Sequence, residues 1–178
     1  WQQKYRFLLI DEFQDTNYSQ LQLVKLLTGT ENELCVVGDE DQSIYSWRGA
    51  EVENILNFQD MFENVKLIRL EQNYRSDGNI LKAAEAVIDN NTMRIGKKLW
   101  TEKGDGERLR AIAGLDDREE AEQVASTISK MIAVDEVNPA EIAIFYRSNR
   151  LSRVLEDAMR QHRIPYRVFG GVRFYDRA

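Results

Sequence analysis

Phe7-Leu8-Leu9-Ile10-Asp11-Glu12-Phe13-Gln14-Asp15-Thr16-Asn17 is a short apolar run that ends on two adjacent carboxylates. Four apolar residues between Arg6 and Asp11 predict a strand buried on both faces, as in a parallel sheet covered by helices. Ligands of such sheets bind just beyond the carboxyl ends of the strands, so Asp11 and Glu12 stand where chemistry is usually done. One carboxylate there can join substrate phosphates in holding Mg²⁺, which takes oxygen ligands. A second beside it can polarise a water as general base. The same two letters also suit a plain strand end, since acidic residues favour turns and helix starts. The rest of the chain weighs toward the chemical reading.

The 178 residues suffice for one large domain or parts of two. A hydrophobic content of 43% supplies a core, and 30% charge with two prolines argues against disorder. No run approaches the ~18 consecutive apolar residues of a membrane helix, and no signal-peptide pattern opens the chain at Trp1-Gln2-Gln3-Lys4. Cys35 is the single cysteine, so no internal disulfide forms, and with one histidine there is no zinc cluster. The compartment reads as cytoplasmic, with no membrane partner. A net charge of −6 weighs against indiscriminate nucleic-acid binding, whose usual footprint is basic. It leaves room for a local site of stacked aromatics and a narrow basic groove.

Leu21, Val24 and Leu27 share one face of a helix over 18–28, with Thr16 or Asn17 to cap its start and Gly29 its end. A second buried strand, Glu33 to Val37, also ends on an acid, in Gly38-Asp39. Two strands that stop at carboxylates with a helix between them make a βαβ unit. The loop Gly38-Asp39-Glu40-Asp41-Gln42-Ser43-Ile44-Tyr45-Ser46-Trp47-Arg48-Gly49-Ala50 follows, with three acids, a glutamine, two large aromatics and an arginine. A helix on Val52, Ile55, Leu56 and Phe62 leads to a strand over 66–70 and the polar loop Glu71 to Ser76. Ser76 can cap a helix on Ile80, Leu81, Ala84, Val87 and Ile88. Residues 90–108 read as a long surface connection with Trp100 as its anchor into a core. Further strands are expected over 109–113, 142–146 and 166–169. Helices are expected over 117–133 and on Leu151, Val154, Leu155, Ala158 and Met159, and Asn138-Pro139 signals a turn. Alternating strands and helices predict α/β with mainly parallel sheets, divided into 1–70 and 71–178.

Three stretches carry a resemblance. DEFQDTN at 11–17, GDEDQSIYSWRGA at 38–50 and LEQNYRS at 70–76 resemble successive motifs of the UvrD/PcrA/Rep family of superfamily 1 DNA helicases. RSN at 147–149 and GGVRFYDR at 170–177 resemble two weaker motifs that follow in the same order. The intervening text is most similar to the UvrD branch. The resemblance implies parts of two RecA-like domains, of the P-loop NTPase type. It implies ATP and Mg²⁺ as cofactors, and single-stranded DNA and duplex junctions as partners.

Position by position, the resemblance implies that Asp11 holds Mg²⁺ and that Glu12 activates the attacking water. Gln42 would sense the γ-phosphate, Tyr74 would stack on adenine, and Arg75 would reach the γ-phosphate from the second domain. Tyr45, Trp47 and Arg48 would contact single-stranded DNA, with Trp47 stacking on a base. Arg147 and Asn149 would touch its phosphates. The chemistry suits these roles. A guanidinium forks onto phosphate oxygens, and base–aromatic stacking ignores sequence, as a translocating enzyme requires. Blander readings exist: Trp47 as a core residue, Tyr74 packed at a domain edge, Ser148 or Asn149 as a helix cap. Arg150-Leu151 also stands where many family members carry Ala-Gln. Arg173 and Arg177 read as surface or hinge charges.

No G-x-x-x-x-G-K-[ST] phosphate loop occurs among the ten glycines. Gly96-Lys97-Lys98 lacks the earlier glycine and the following Ser or Thr. The expectation is therefore the middle of a helicase, with the phosphate loop upstream, and a fragment inactive by itself. The resemblance implies a 3′–5′ motor acting in repair or replication, with protein partners that the residues leave unspecified. Two alternatives stay open: a non-catalytic module binding DNA or a partner, and the helicase part of a helicase–nuclease.

Overall fold

The computed structural model describes residues 1–29 and 32–169, so the motif expected at 170–177 lies outside the described residues. The chain forms two compact units, Trp1–Leu109 and Arg110–Ala178.

In the first unit, β1 (Phe7–Ile10) pairs in parallel with β2 (Glu33–Val36), Phe7 opposite Glu33 and Ile10 opposite Val36. Helix α1 (Tyr18–Leu27) makes the crossover, completing the expected βαβ unit. Asn17 caps it in a capping box: its side chain accepts from Gln20 N–H, and Gln20 Oε1 accepts from Asn17 N–H, both at 2.9 Å. Thr28 ends it, its N–H and Oγ1 both donating to Val24 O. Phe13, Leu21, Val24 and Ile55 form the buried cluster, with Ile10, Leu34 and Val36 packed against it from the sheet.

The strands are not buried on both faces. Side chains alternate across a strand, and Phe7, Leu9, Glu33 and Cys35 face away from that cluster and are exposed. Beyond the strands, the helix expected on Val52 to Phe62 is two short pieces, α2 (Glu53–Leu56) and α3 (Phe58–Met61). Phe58 stands edge-on to Phe13 and stacks on Phe62, so the break still feeds aromatic surface to the core.

Helix α4 (Gly78–Ile88) starts without the expected Ser76 cap. Asp77 holds the cap position and makes no side-chain capping bond. Backbone carbonyls serve instead: Gly78 N–H donates to Gly104 O at 2.7 Å and Asn79 N–H to Asp105 O at 2.8 Å. Those two bonds satisfy amide groups that a helix start leaves open. Trp100 is half exposed rather than a core anchor. Its tie is a single bridge to Gln72.

The second unit packs α5 (Asp117–Ala133) against α6 (Arg150–Gln161). Ala121 and Ala125, both buried, let the helices approach, and Ile128, Ala158, Met159 and Ile164 complete the core. Asp116 caps α5 by accepting from Arg118 and Glu119 N–H. Asn138 accepts from Ala140 N–H with Pro139 opening a 3₁₀ turn, as the sequence predicts.

The strands expected over 66–70, 109–113, 142–146 and 166–169 form no ladder among the described residues. A strand is stable only when a neighbour satisfies its backbone groups. Apolar content alone, as at Leu67, Ile68 and Leu70, specifies extension but supplies no partner.

Candidate functional site

The parallel register sets β1 and β2 to end side by side. The pairing continues past the strands, Val37 N–H donating to Ile10 O at 2.8 Å and Phe13 N–H to Val37 O at 3.0 Å. Asp11-Glu12 and Gly38-Asp39 therefore leave the sheet at one edge. Glu12 takes a left-handed backbone conformation, φ 52°, unusual for a non-glycine residue. The turn lets its own N–H donate to Asp11 Oδ1 at 2.9 Å.

Gln14 joins the two acid-bearing loops. Its side chain is 1% exposed. Nε2 donates to Glu12 Oε2 at 2.7 Å, and Oε1 accepts from Asp39 N–H at 3.1 Å. Ser43 Oγ donates to Gln14 O at 3.2 Å. Gly38 passes so close that a Cβ there would lie 2.6 Å from Gln14 Oε1. The sequence assigns Gln14 no role of its own; its one signal there is an amide set among the acids Asp11, Glu12 and Asp15.

Asp39 is the next junction. Its Oδ2 accepts from Gln42 Nε2 at 2.7 Å, and its Oδ1 pairs with Lys97 Nζ and accepts from Asp41 N–H. Burial alone would raise its pKa, but the hydrogen bonds from Lys97 and Gln42 and the Lys97 charge outweigh that and hold Asp39 below the ordinary carboxylate value. Arg94 pairs with Asp41 at 3.0 Å and with Asp89 at 2.9 Å. Burial opposes its charge, yet the two carboxylates leave its pKa raised. The expected surface connection over 90–108 thus folds back onto the acidic loop in part. Two cations three residues apart facing three consecutive acids was the available signal.

Three to six residues past Gln42, Tyr45, Trp47 and Arg48 form a second cluster. Gly49, at φ 85°, closes the 3₁₀ turn that presents them. Arg48 Cζ sits 5.0 Å from the Tyr45 ring centre and 4.4 Å from that of Trp47. Trp47 is 72% exposed, so it is not a core residue in this structure.

Tyr74 and Arg75 are presented by an Asx turn, Asn73 Oδ1 accepting from the N–H groups of Arg75 and Ser76. Tyr74 is 74% exposed and donates its hydroxyl to Gln72 Oε1. Lys103 Nζ donates to Arg75 O. Among the described residues no hydrogen bond or ion pair joins Tyr74 or Arg75 to Asp11, Glu12 or Gln42. In the second unit Arg147 and Asn149 are exposed before α6, and Asn149 makes no side-chain capping bond.

No group of three or more metal-ligating side chains occurs among the described residues. The exposed Asp11 carboxylate suits Mg²⁺, which one or two carboxylates hold together with substrate phosphates rather than in an all-protein cage.

Residues 1–63 match the family model of the UvrD/REP helicase N-terminal domain, and residues 68–178 that of the UvrD-like helicase C-terminal domain. The chain belongs to the UvrD-like helicases. Across 177 residues, 99% of this chain, it is 49% identical to DNA helicase II of Escherichia coli (strain K12), covering 24% of that protein. Over the same span it is 47% identical to the ATP-dependent DNA helicase Rep of that organism, covering 26% of it. It is likewise 47% identical to a probable DNA helicase II homolog of Rickettsia felis, covering 27%. The chain thus spans about a quarter of the length of these relatives. The α/β class with RecA-like domains expected from the sequence is that of the UvrD-like helicases. No helix among the described residues is long and apolar enough to cross a membrane.

Proposed function

We propose that the protein carrying this chain is an ATP-dependent 3′–5′ DNA helicase or translocase that works on single-stranded DNA and duplex junctions in repair or replication. The observation that carries this reading is one loop with two chemistries. Gln42 is tied through Asp39 and Gln14 to Glu12, and five residues on, Trp47 stands exposed with Arg48 against its ring. The polarity rests on the family resemblance. The junction of the two family models between residues 63 and 68 supports a division into RecA-like parts at 1–70 and 71–178. Relatives that are bacterial DNA helicases support a cytoplasmic setting.

In this reading Glu12 takes the proton from the attacking water while Gln14 fixes the direction of its carboxylate. Mg²⁺, when bound with ATP, neutralises phosphate charge, and Asp11 would hold it. Gln42 reads the γ-phosphate, Arg75 meets the charge that develops there, and Tyr74 offers a face to the adenine. Tyr45, Trp47 and Arg48 grip unpaired bases by stacking, and Arg147 and Asn149 touch the backbone.

Glu12→Gln in the full-length protein tests the enzyme reading. Loss of a general base costs ~10²–10⁴ in rate, with ATP affinity little changed because Asp11 remains. Turnover within a few-fold of wild type would remove Glu12 from its role. A wild-type protein that binds DNA without hydrolysing ATP would favour the non-catalytic module.

A further inference from the structure

The acidic turn that carries Gln42 is held from outside by a segment the proposed mechanism does not use. Asp39, Glu40 and Asp41 are each engaged by residues 94–97. Lys97 Nζ pairs with Asp39 Oδ1, Ile95 N–H donates to Glu40 Oε1 at 3.2 Å, and Arg94 pairs with Asp41 Oδ2 at 3.0 Å. Lys97 Nζ also lies 3.8 Å from Asp41 Oδ2. The side chains are sheltered: Lys97 18%, Arg94 15% and Asp41 6% exposed. Charges so placed are weakly screened, and removing one partner leaves the other uncompensated.

Asp39 divides its carboxylate between Lys97 on one oxygen and Gln42 Nε2 on the other. We propose that Lys97 is a positioning residue for Gln42, acting through the Asp39 carboxylate, with Arg94 holding the neighbouring Asp41. Without Lys97, Asp39 faces the like charge of Asp41 and gains by turning toward water, which takes it from Gln42. The contact joins the stretch matched by the N-terminal family model to the stretch matched by the C-terminal one. A shift of residues 94–97 therefore moves Asp39, and with it both the Gln42 amide and, through Asp39 N–H, the Gln14 bridge to Glu12. This inference rests on the proposed role of Gln42 in reading the γ-phosphate.

The test compares Lys97→Met, Lys97→Arg, Gln42→Ala and the double variant Lys97→Met/Gln42→Ala in the full-length protein. Lys82→Met, which removes only the exposed pair with Asp105, is the control. Two quantities are read: ATPase at saturating single-stranded DNA, and amide exchange over residues 39–48. Misplacing a reacting group by about 1 Å can cost up to ~10²-fold, so Lys97→Met is expected to lower kcat by about tenfold with KM for ATP within about twofold. Lys97→Arg should recover most of the rate. The double variant should be no slower than Gln42→Ala, because both act at one point. Exchange at Asp41 to Ser43 should quicken in Lys97→Met and return to normal in Lys97→Arg. Unchanged exchange, losses that multiply in the double variant, or faster exchange throughout the unit would each overturn the proposal. If the wild type shows no ATPase, the helicase reading falls separately, while the exchange comparison still decides whether Lys97 holds the turn.

Discussion

The side-chain amide of Gln14 donates to Glu12 Oε2 at 2.7 Å while its carbonyl oxygen accepts from Asp39 N–H at 3.1 Å. A buried amide with both ends engaged has one available orientation, and that orientation aims the Glu12 carboxylate. Gln14→Leu keeps the volume roughly and removes both bonds. Leaving the Asp39 N–H unpaired should cost ~1–3 kcal/mol, read as a lower melting temperature together with a fall in kcat. Gln14→Glu places a second carboxylate against Glu12. Like charges so close repel and turn the Glu12 carboxylate out of the direction that the Gln14 amide holds, so kcat should fall at least as far as in Gln14→Leu. A kcat unchanged in both variants would show that Gln14 does not touch the working base.

Gly38→Ala tests how tightly the two loops are pressed together. The new Cβ would lie 2.6 Å from Gln14 Oε1 and 2.7 Å from Ile55 Cδ1. Gln14 is held at both ends and Ile55 is in the core, so neither gives way without loss. Overpacking of this kind costs ~1–3 kcal/mol. Denaturant unfolding should show the loss, and a variant as stable as wild type would mean that the loop relaxes freely.

Asp39 gives the acidic turn a pH dependence with a definite sign. Its pKa is lowered in the folded protein from the ordinary 3.8. Its contribution to stability is therefore present above that ordinary value and is lost as pH falls through the lowered one. The charges around it are Lys97 and, one step away, Asp41 with Arg94. Wild type should exceed Asp39→Asn in melting temperature near neutral pH, and the gap should close on acidification below the ordinary carboxylate range. A gap that stayed constant down to the most acidic measurable pH would rule out the ion pair as its source.

Trp47 and Arg75 should separate grip from turnover. The exposed Trp47 ring has no core to lose, so Trp47→Ala should weaken single-strand binding by ~1–3 kcal/mol and leave melting temperature and DNA-independent ATPase near wild type. Arg75→Ala should do the reverse. Arginines that meet transition-state charge are worth ~10³–10⁵ in kcat, whereas nucleotide-free DNA binding should stay intact. Trp47→Ala that binds DNA normally but melts early would restore a packing role for the ring.

The sequence by itself determined the βαβ unit, a cap for α1 at Thr16 or Asn17, the span of α5 and the motifs that identify the family. Each is written in local terms: apolar spacing, a capping residue, a run of consecutive letters. The parallel register and its extension through Val37 and Phe13 decided that Asp11-Glu12 and Gly38-Asp39 meet at one edge. Tertiary structure alone decided which face of β1 is covered, that the α4 amides are satisfied by Gly104 and Asp105 instead of Ser76, and that Trp47 and Tyr74 stand exposed. It also decided the two contacts that organise the candidate site, Gln14 to Asp39 and Lys97 to Asp39. Those partners are 25 and 58 positions apart. No periodicity encodes such a pairing, because a buried amide or a sheltered cation finds its acceptor only after the chain has closed around it.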